Sequence, residues 1–85
     1  MAYSIAYKPS AEKSLSRLPL DVCRRLLVAI DNLAENPRPS GVKKLQSPID
    51  LYRIRVGDYR VIYIIEDSKL KILVVAVGHR SDIYS

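Results

Sequence analysis

The pattern of apolar and polar positions divides the chain into a helical first half and a strand-rich second half. Tyr3, Ile5 and Tyr7 alternate with small or polar residues, which predicts a short N-terminal strand. Pro9 is well placed for the first turn of one helix, and Pro19 for the start of a second. The second helix carries an apolar stripe: Val22, Leu26, Ile30 and Leu33. Such a stripe predicts a helical hairpin that packs on a flat apolar surface.

Three strands are predicted in the second half. Asn36-Pro37 ends the second helix, because a residue before proline disfavours helical backbone, and residues 37–48 form a linker rich in Pro, Ser and Gly. Residues 51–56, 59–65 and 70–77 are dense in Val, Ile, Leu and Tyr, and short turns between them make the strands antiparallel. We therefore expect one α+β domain over residues 1–85, with an N-terminal strand, a helical hairpin and a three-stranded antiparallel meander, the helices covering one sheet face. The pattern does not place the first strand within the sheet.

Hairpin register brings three arginines onto one face of the predicted sheet. If residues 57 and 58 form a two-residue loop, Arg55 lies directly opposite Arg60. Arg53 lies two residues before Arg55, so it points to the same side. Directly opposed like charges destabilise a sheet by some tenths to about 1 kcal/mol. A bound anion would offset that cost, and the alternative is an ordinary solvated sheet face.

The composition favours a polyanionic partner. The net charge is +5, from 14 Lys+Arg against 9 Asp+Glu, which suits nucleic acid, an anionic membrane or an acidic protein. A guanidinium cluster fits RNA phosphate, because the guanidinium binds two oxygens at once and stays protonated. The third strand returns toward the turn at Gly57, so Arg80 and Tyr84 can reach the cluster, and Lys43 and Lys44 in the linker can border it.

Three stretches of the sequence resemble the RelE superfamily of toxins. They are LYRIRVGDYRVIY at residues 51–63, VGHRSDIY at 77–84 and KKL at 43–45. The resemblance implies the microbial ribonuclease fold of RelE toxins, which are ribosome-dependent endoribonucleases that cut mRNA in the ribosomal A site. It implies a RelB-type antitoxin as partner, operator DNA reached only through that antitoxin, no cofactor and no membrane.

The resemblance also implies roles for individual residues. The catalytic residues would be Arg60, Arg80 and Tyr84, and the RNA-binding residues would be Arg53, Arg55, Lys43, Lys44 and His79. The positions of Arg53 and Arg55 are lysines in the best-known ribosome-dependent members. An arginine cannot in practice lose its proton, so if one of those lysines serves as a base, this chain must do without it or use Tyr84 or His79.

Several residues have a structural interpretation beside the functional one. His79 is a candidate general base, but a loop histidine that contacts phosphate is the simpler expectation. Tyr52, Tyr59 and Tyr63 fall on the face opposite the arginines and are expected in the core rather than as stacking platforms. Cys23 lies on the apolar stripe and is expected to be a small buried side chain. One histidine, one cysteine and scattered carboxylates predict no metal site.

The remaining features bound the location and the rival functions. A single cysteine fits a reducing cytoplasm, and neither a signal peptide nor a membrane-spanning run is recognisable. One rival is a toxin that resembles ParE, which poisons DNA gyrase without cleaving RNA. The other is an RNA-binding domain without catalysis, which the lack of an aromatic platform on the basic face disfavours.

Overall fold

Two helices and a five-stranded sheet make up the part of the chain that the computed structural model describes, residues 2–47 and 49–79. The elements in chain order are β1 (Ser4–Tyr7), α1 (Pro9–Ser16), α2 (Leu20–Asn32), β2 (Lys43–Lys44), β3 (Leu51–Val56), β4 (Tyr59–Glu66) and β5 (Lys71–His79). The strands are ordered β1-β5-β4-β3-β2. The predicted α+β class and the antiparallel β3-β4-β5 meander are confirmed.

The turn between β3 and β4 has the two-residue form that the sequence predicts. Val56 pairs with Tyr59, which leaves Gly57 and Asp58 as the loop. Gly57 has a φ of +60°, the sign that a type II′ hairpin turn requires at its first central position. Glycine adopts this conformation without the steric cost that a Cβ would add. The turn therefore fixes the register of the hairpin that carries the arginines.

Two strands of the sheet differ from the sequence-based expectation. The position of the first strand was not predicted, and the second strand lies in a segment that was expected to be a linker. β1 pairs in parallel with β5 at one edge of the sheet, with Ser4 opposite Lys71 and Tyr7 opposite Val74. At the other edge, the linker contains β2, which pairs antiparallel with β3. Helix α2 ends at Asn32, earlier than the expected stop at Asn36.

The hydrophobic core lies between the helices and one face of the sheet. Leu26, Ile30 and Leu33 follow the predicted stripe and are at most 1% exposed. They meet a strand surface made of Ile54, Val61, Tyr63, Ile65, Ile72, Val74 and Val77. Tyr63 is fully buried, and Tyr52, Tyr59 and Cys23 pack against this cluster, so the expectation that these side chains serve the core is confirmed. Each buried aliphatic side chain contributes about 1.5–3 kcal/mol to folding.

A β-bulge in β5 reverses the alternation of side chains along that strand. Ile62 pairs with Ala76 but Tyr63 pairs with Val74, so Val75 is an extra residue. Before the bulge, Val74 points into the core, and after it Val77 does. Without the bulge, strict alternation would have reversed the face of every residue that follows it in β5.

A polar cluster ties the linker to the end of the sheet remote from Gly57. Arg38 donates from Nη2 to Oδ2 of Asp67 at 3.0 Å, and its guanidinium carbon lies 5.2 Å from the ring centre of Tyr52. The Tyr3 hydroxyl donates to Oδ1 of Asp67 at 2.7 Å. The Tyr63 hydroxyl donates to the Pro37 carbonyl at 2.7 Å. These contacts hold the start of the linker, and so help to aim β2 at the edge of β3.

We expect the Asp67→Asn variant to lose less stability than the wild type when the pH falls into the acid range. Hydrogen bonds from Arg38 and Tyr3 hold the pKa of Asp67 below its ordinary value of 3.8. A depressed carboxyl pKa stabilises the fold above the unfolded-state pKa, and this contribution disappears as the pH falls through the folded-state pKa. Urea unfolding from neutral pH into this acidic window should show the wild type losing more stability than Asp67→Asn. The matched control is Asp31→Asn, an exposed carboxylate on α2. Parallel pH profiles for wild type and Asp67→Asn would contradict the role of the cluster.

Candidate RNA-binding and catalytic face

Three arginines share the sheet face that points away from the helices. The observed register places Arg55 opposite Arg60 and Arg53 opposite Ile62, as the hairpin argument predicts. Opposed residues have Cβ atoms about 4.5–5.5 Å apart, so the bases of the Arg55 and Arg60 side chains are close neighbours. The apolar residues between them in sequence, such as Ile54 and Val61, point into the core instead. We call the surface formed by Arg53, Arg55 and Arg60 the arginine face. These side chains share it because the alternate residues of the same strands are buried on the other face of the sheet.

Arg53 and Arg55 of the arginine face take part in none of the ion pairs found among the described residues. The ion pairs among residues 2–47 and 49–79 engage Arg38, Lys44 and Lys69 instead. Arg55 is exposed and donates from Nε to the Gly57 carbonyl at 3.3 Å. Arg60 is half-buried, and its Nε is fully enclosed. Partial burial weakens solvent screening, which strengthens the attraction of this face for an anion.

The two lysines of β2 fall on different sides of the sheet. Lys43 pairs with Arg53 and extends the arginine face by one strand. Lys44 pairs with Tyr52 on the opposite face, and its ammonium is 3.1 Å from Oδ1 of Asp50. The structure thus brings only Lys43 into line with the arginines, because alternation along a strand sends its neighbour to the other side.

His79 lies on the helix side of the sheet. It pairs with Tyr59, and the two rings make an edge-to-face contact with centroids 5.5 Å apart. The bulge at Val75 causes this placement, because counting by alternation from the buried Val74 would have put His79 beside Arg60. The predicted grouping of His79 with the arginines is therefore not observed. Arg80 and Tyr84 lie outside the described residues, and their roles remain predictions.

Arg25 of α2 is a basic residue near the site that the sequence pattern did not single out. Its Nη2 atom lies 3.0 Å from the point where a Cβ on Gly57 would stand. Arg24 and Arg25 line a groove of about 510 Å³ with Val28, Val56 and Gly57. Positive charge thus continues from the arginine face around the hairpin turn to α2. The adjacent pair Arg24-Arg25 is visible in the sequence. Its position beside Gly57 depends on how α2 packs on the sheet, which the local sequence does not predict.

The arrangement suits binding of a phosphodiester and stabilisation of added negative charge on it. Guanidinium groups donate paired hydrogen bonds to phosphate oxygens and do not act as bases at neutral pH. Among residues 2–47 and 49–79, no three of the His, Cys, Asp and Glu side chains are grouped to hold a metal ion. No helix in this part of the chain has the length and apolar character needed to cross a bilayer.

Comparison with known proteins agrees with this fold. Residues 5–84 match the family model described as ParE toxin of type II toxin–antitoxin system, parDE. The mRNA interferase toxin RelE of Escherichia coli K12 is 32% identical over 89 residues, covering 100% of this chain and 93% of that protein. The chain therefore belongs to the RelE/ParE superfamily of type II toxins.

Solved structures give the same picture. The RelE–RelB complex from Pyrococcus horikoshii OT3 contains a chain 34% identical to this one, with a TM-score of 0.83 over 98% of this chain and 100% of that chain. The intact RelBE complex of E. coli matches with 29% identity and a TM-score of 0.80, covering 92% of this chain and 96% of that one. The fold is thus that of toxins whose solved complexes carry a RelB antitoxin.

We expect Arg55 and Arg60 to repel each other measurably in the free protein. A double-mutant cycle of Arg55→Thr and Arg60→Thr, measured by urea unfolding, should give a repulsive coupling of some tenths to about 1 kcal/mol. The coupling should shrink at about 0.5 M salt, where the Debye length is only a few ångströms. The control cycle pairs Arg60→Thr with Arg24→Thr, an exposed position on α2. Attractive or absent coupling at low salt would mean that the two guanidinium groups are already neutralised within the protein.

Proposed function

We propose that this toxin is an endoribonuclease that cleaves mRNA on the translating ribosome in the cytoplasm. The observation that carries the proposal is the placement of Arg53, Arg55 and Arg60 on the sheet face opposite the helices, with two of them directly opposed. Opposed like charges lower the stability of a sheet, and a phosphate chain bound to both arginines would offset that cost. The names of relatives such as the E. coli mRNA interferase toxin RelE support the same activity.

The proposed reaction is an internal transfer at one phosphodiester. The 2′-oxygen of a ribose forms a bond to the adjacent phosphorus, the bond from phosphorus to the 5′-oxygen breaks, and a 2′,3′-cyclic phosphate and a 5′-hydroxyl result. The 2′-hydroxyl gives up its proton to solvent water, and the departing 5′-oxygen takes one from Tyr84. Negative charge grows on the non-bridging oxygens as the 2′-oxygen attacks. Arg60 and Arg55 stabilise that charge more strongly than the charge of the ground state.

The proton donation to the departing 5′-oxygen is assigned to the end of the chain. Arginine cannot serve as the base, and His79 points to the other face of the sheet. We therefore assign the proton donated to the 5′-oxygen to Tyr84 and a supporting phosphate contact to Arg80. The last described residue, His79, lies opposite Tyr59 beside the Gly57 turn, so the tail begins at the arginine end of the sheet. Guanidinium charge, rather than a metal ion, supplies the electrostatic stabilisation in this scheme.

The first test removes the proposed catalytic groups one at a time. Arg60→Ala and Arg80→Ala should each lower cleavage of ribosome-bound mRNA by roughly a hundredfold or more, the usual effect of deleting a charge that stabilises a transition state. Tyr84→Phe should lower it by a similar factor if the hydroxyl transfers a proton. Primer extension on mRNA from a reconstituted translation system measures this. Arg17→Ala, an exposed arginine of α1, is the matched control and should cleave like the wild type.

Undiminished cleavage by all three variants, at equal amounts of folded protein, would reject the assigned site. Mapping mRNA ends in translating and translation-blocked cells then tests the ribosome requirement. Ends that accumulate only during translation support it, and ends that accumulate equally in both states contradict it.

A second candidate function is inhibition of DNA gyrase. It is favoured by the family model that the chain matches, whose description names ParE toxins. Under this alternative the basic face would contact protein rather than RNA. Induction of the toxin would then leave mRNA intact and produce gyrase-linked DNA breaks.

Lys43 of β2 and an exposed lysine of α1 offer a matched pair for testing the RNA-binding face. Lys43 lies beside Arg53 on the arginine face, whereas Lys44 pairs with Asp50 and so serves the loop rather than this face. With a non-cleavable RNA, Lys43→Ala should weaken binding and reduce the slope of log K against log salt by about 1, since one phosphate contact is lost. The control is Lys13→Ala, an exposed lysine of α1, which should leave the slope unchanged. Equal effects of the two substitutions would show that RNA does not follow this face.

The partner that holds the toxin inactive is proposed to be a RelB-type antitoxin, as in the solved complexes of relatives. Leu20 and Val28 of α2 are 66% and 62% exposed, and Val28 adjoins the basic groove with Arg24 and Arg25. Exposed apolar side chains beside arginines suit an acidic amphipathic segment. The operator would be contacted by the antitoxin and not by this chain.

The antitoxin is expected to be partly disordered alone and to fold on the toxin. Circular dichroism of the mixture should then show more ordered structure than the sum of the separate proteins. Val28→Asp should weaken the complex, because it places a carboxylate in the apolar part of the contact, and Asp31→Asn on the same helix should not. A spectrum equal to the sum of its parts would contradict folding on binding.

A further inference from the structure

We infer that a groove beside the arginine face binds one base of the RNA strand next to the cleaved bond. This inference rests on the proposed ribonuclease activity and adds a subsite to it. The groove has a volume of about 720 Å³ and lies between the β2-β3 hairpin loop and the open face of the sheet. Residues that line the groove include Lys43, Leu45, Gln46, Leu51, Arg53 and Ile62.

The floor of the groove is apolar. Ile62 is only 8% exposed, yet it points away from the helices and does not belong to the main core cluster. Leu51, at the start of β3, pairs with Ile64 and lies two residues from Arg53 on the same side. Leu45 completes this apolar surface from the loop. Leu45 and Leu51 are half-buried and give the groove its accessible apolar area, to which any nucleobase can present its π surface.

The wall of the groove is held in place by contacts within the hairpin. The Leu45 amide donates to the Leu51 carbonyl at 2.8 Å, and Lys44 forms an ion pair with Asp50 across the same loop. The Ile49 amide donates to the Ser47 hydroxyl at 3.3 Å. Gln46 is exposed in the same loop and lines the groove, so its amide can reach the edge of a base bound there. A glutamine amide both donates and accepts hydrogen bonds, as base recognition requires.

The groove lies at the right distance from the proposed reaction centre. Lys43 and Arg53 form one row across the sheet, and Arg55 and Arg60 form the next row, two residues along the strand. Two residues of a strand span about 7 Å, comparable to the step between neighbouring phosphates of an extended RNA strand. A strand with one phosphate on each row therefore places its next base over Ile62 and Leu51. The subsite would set the sequence preference of cleavage and not its rate on the best substrate.

Photochemical crosslinking tests the location of the base. The probe is an RNA with a single 4-thiouridine at successive positions and 2′-O-methyl ribose at the cleavage site, offered both free and as mRNA on the ribosome. We expect adducts on Leu45, Gln46 or Leu51 from one position of the thio base. The absence of adducts on these residues in both states, or equal adducts from every position, would overturn the inference.

Sequence preference tests the role of Gln46. Across reporters that vary one nucleotide beside the cleavage site, Gln46→Ala and Gln46→Glu should change the ratio of cleavage rates by roughly two- to tenfold, the range one hydrogen bond supplies. Ser68→Ala, in the exposed turn before β5, is the control and should keep the wild-type ratios. Unchanged ratios in both Gln46 variants would overturn the proposed role of this side chain.

Failure of this inference can be told apart from failure of the proposed function. If wild type cleaves RNA and no adduct forms in the groove, only the subsite is wrong. If wild type cleaves no RNA but the thio base still reacts with Leu45, Gln46 or Leu51 from one position, the groove binds RNA and the nuclease activity is wrong.

Discussion

The register that sets Arg55 opposite Arg60 on facing strands is the constraint around which this molecule is organised. Arg55 and Arg60 are opposed because a two-residue turn at Gly57 fixes the register, and because the alternate residues Ile54 and Val61 must be buried. The protein cannot separate the two charges without shifting every core side chain of the hairpin to the wrong face. Stability and charge placement are thus coupled through one register.

One face of the sheet forms the hydrophobic core, and the other carries the basic residues. One face is covered by α1 and α2 and supplies the core, with Tyr63 and Leu26 fully buried. The other face carries Lys43, Arg53, Arg55 and Arg60 around the apolar floor at Ile62. A polyanion bound on the second face would be held by a surface that cannot rearrange, since its backbone is fixed by the first. Preorganised charge of this kind needs little reorganisation when negative charge develops on a reacting phosphate.

The sequence predicted the parts of the fold that local rules determine. The strand limits around Gly57 and the shared face of the arginines followed from alternation and turn length, and both are observed. Three features depended on tertiary contacts instead. β2 is a Lys-Lys pair with poor strand propensity that exists because it meets β3. β1 joins β5 across most of the chain length. The extra residue Val75 places His79 on the helix side of the sheet. The sequence around Val75 contains no turn residue that would predict this bulge.

The central claim is that one phosphate chain neutralises Arg53, Arg55 and Arg60 together. The most direct measurement follows the Nε–Hε NMR signals of the arginine side chains while a short non-cleavable RNA is added. The account predicts that these three signals shift together along one saturation curve, while that of Arg38, which pairs with Asp67 at the far end of the sheet, stays in place. Saturation with RNA while the three signals remain unmoved, or shift along separate curves, would contradict it.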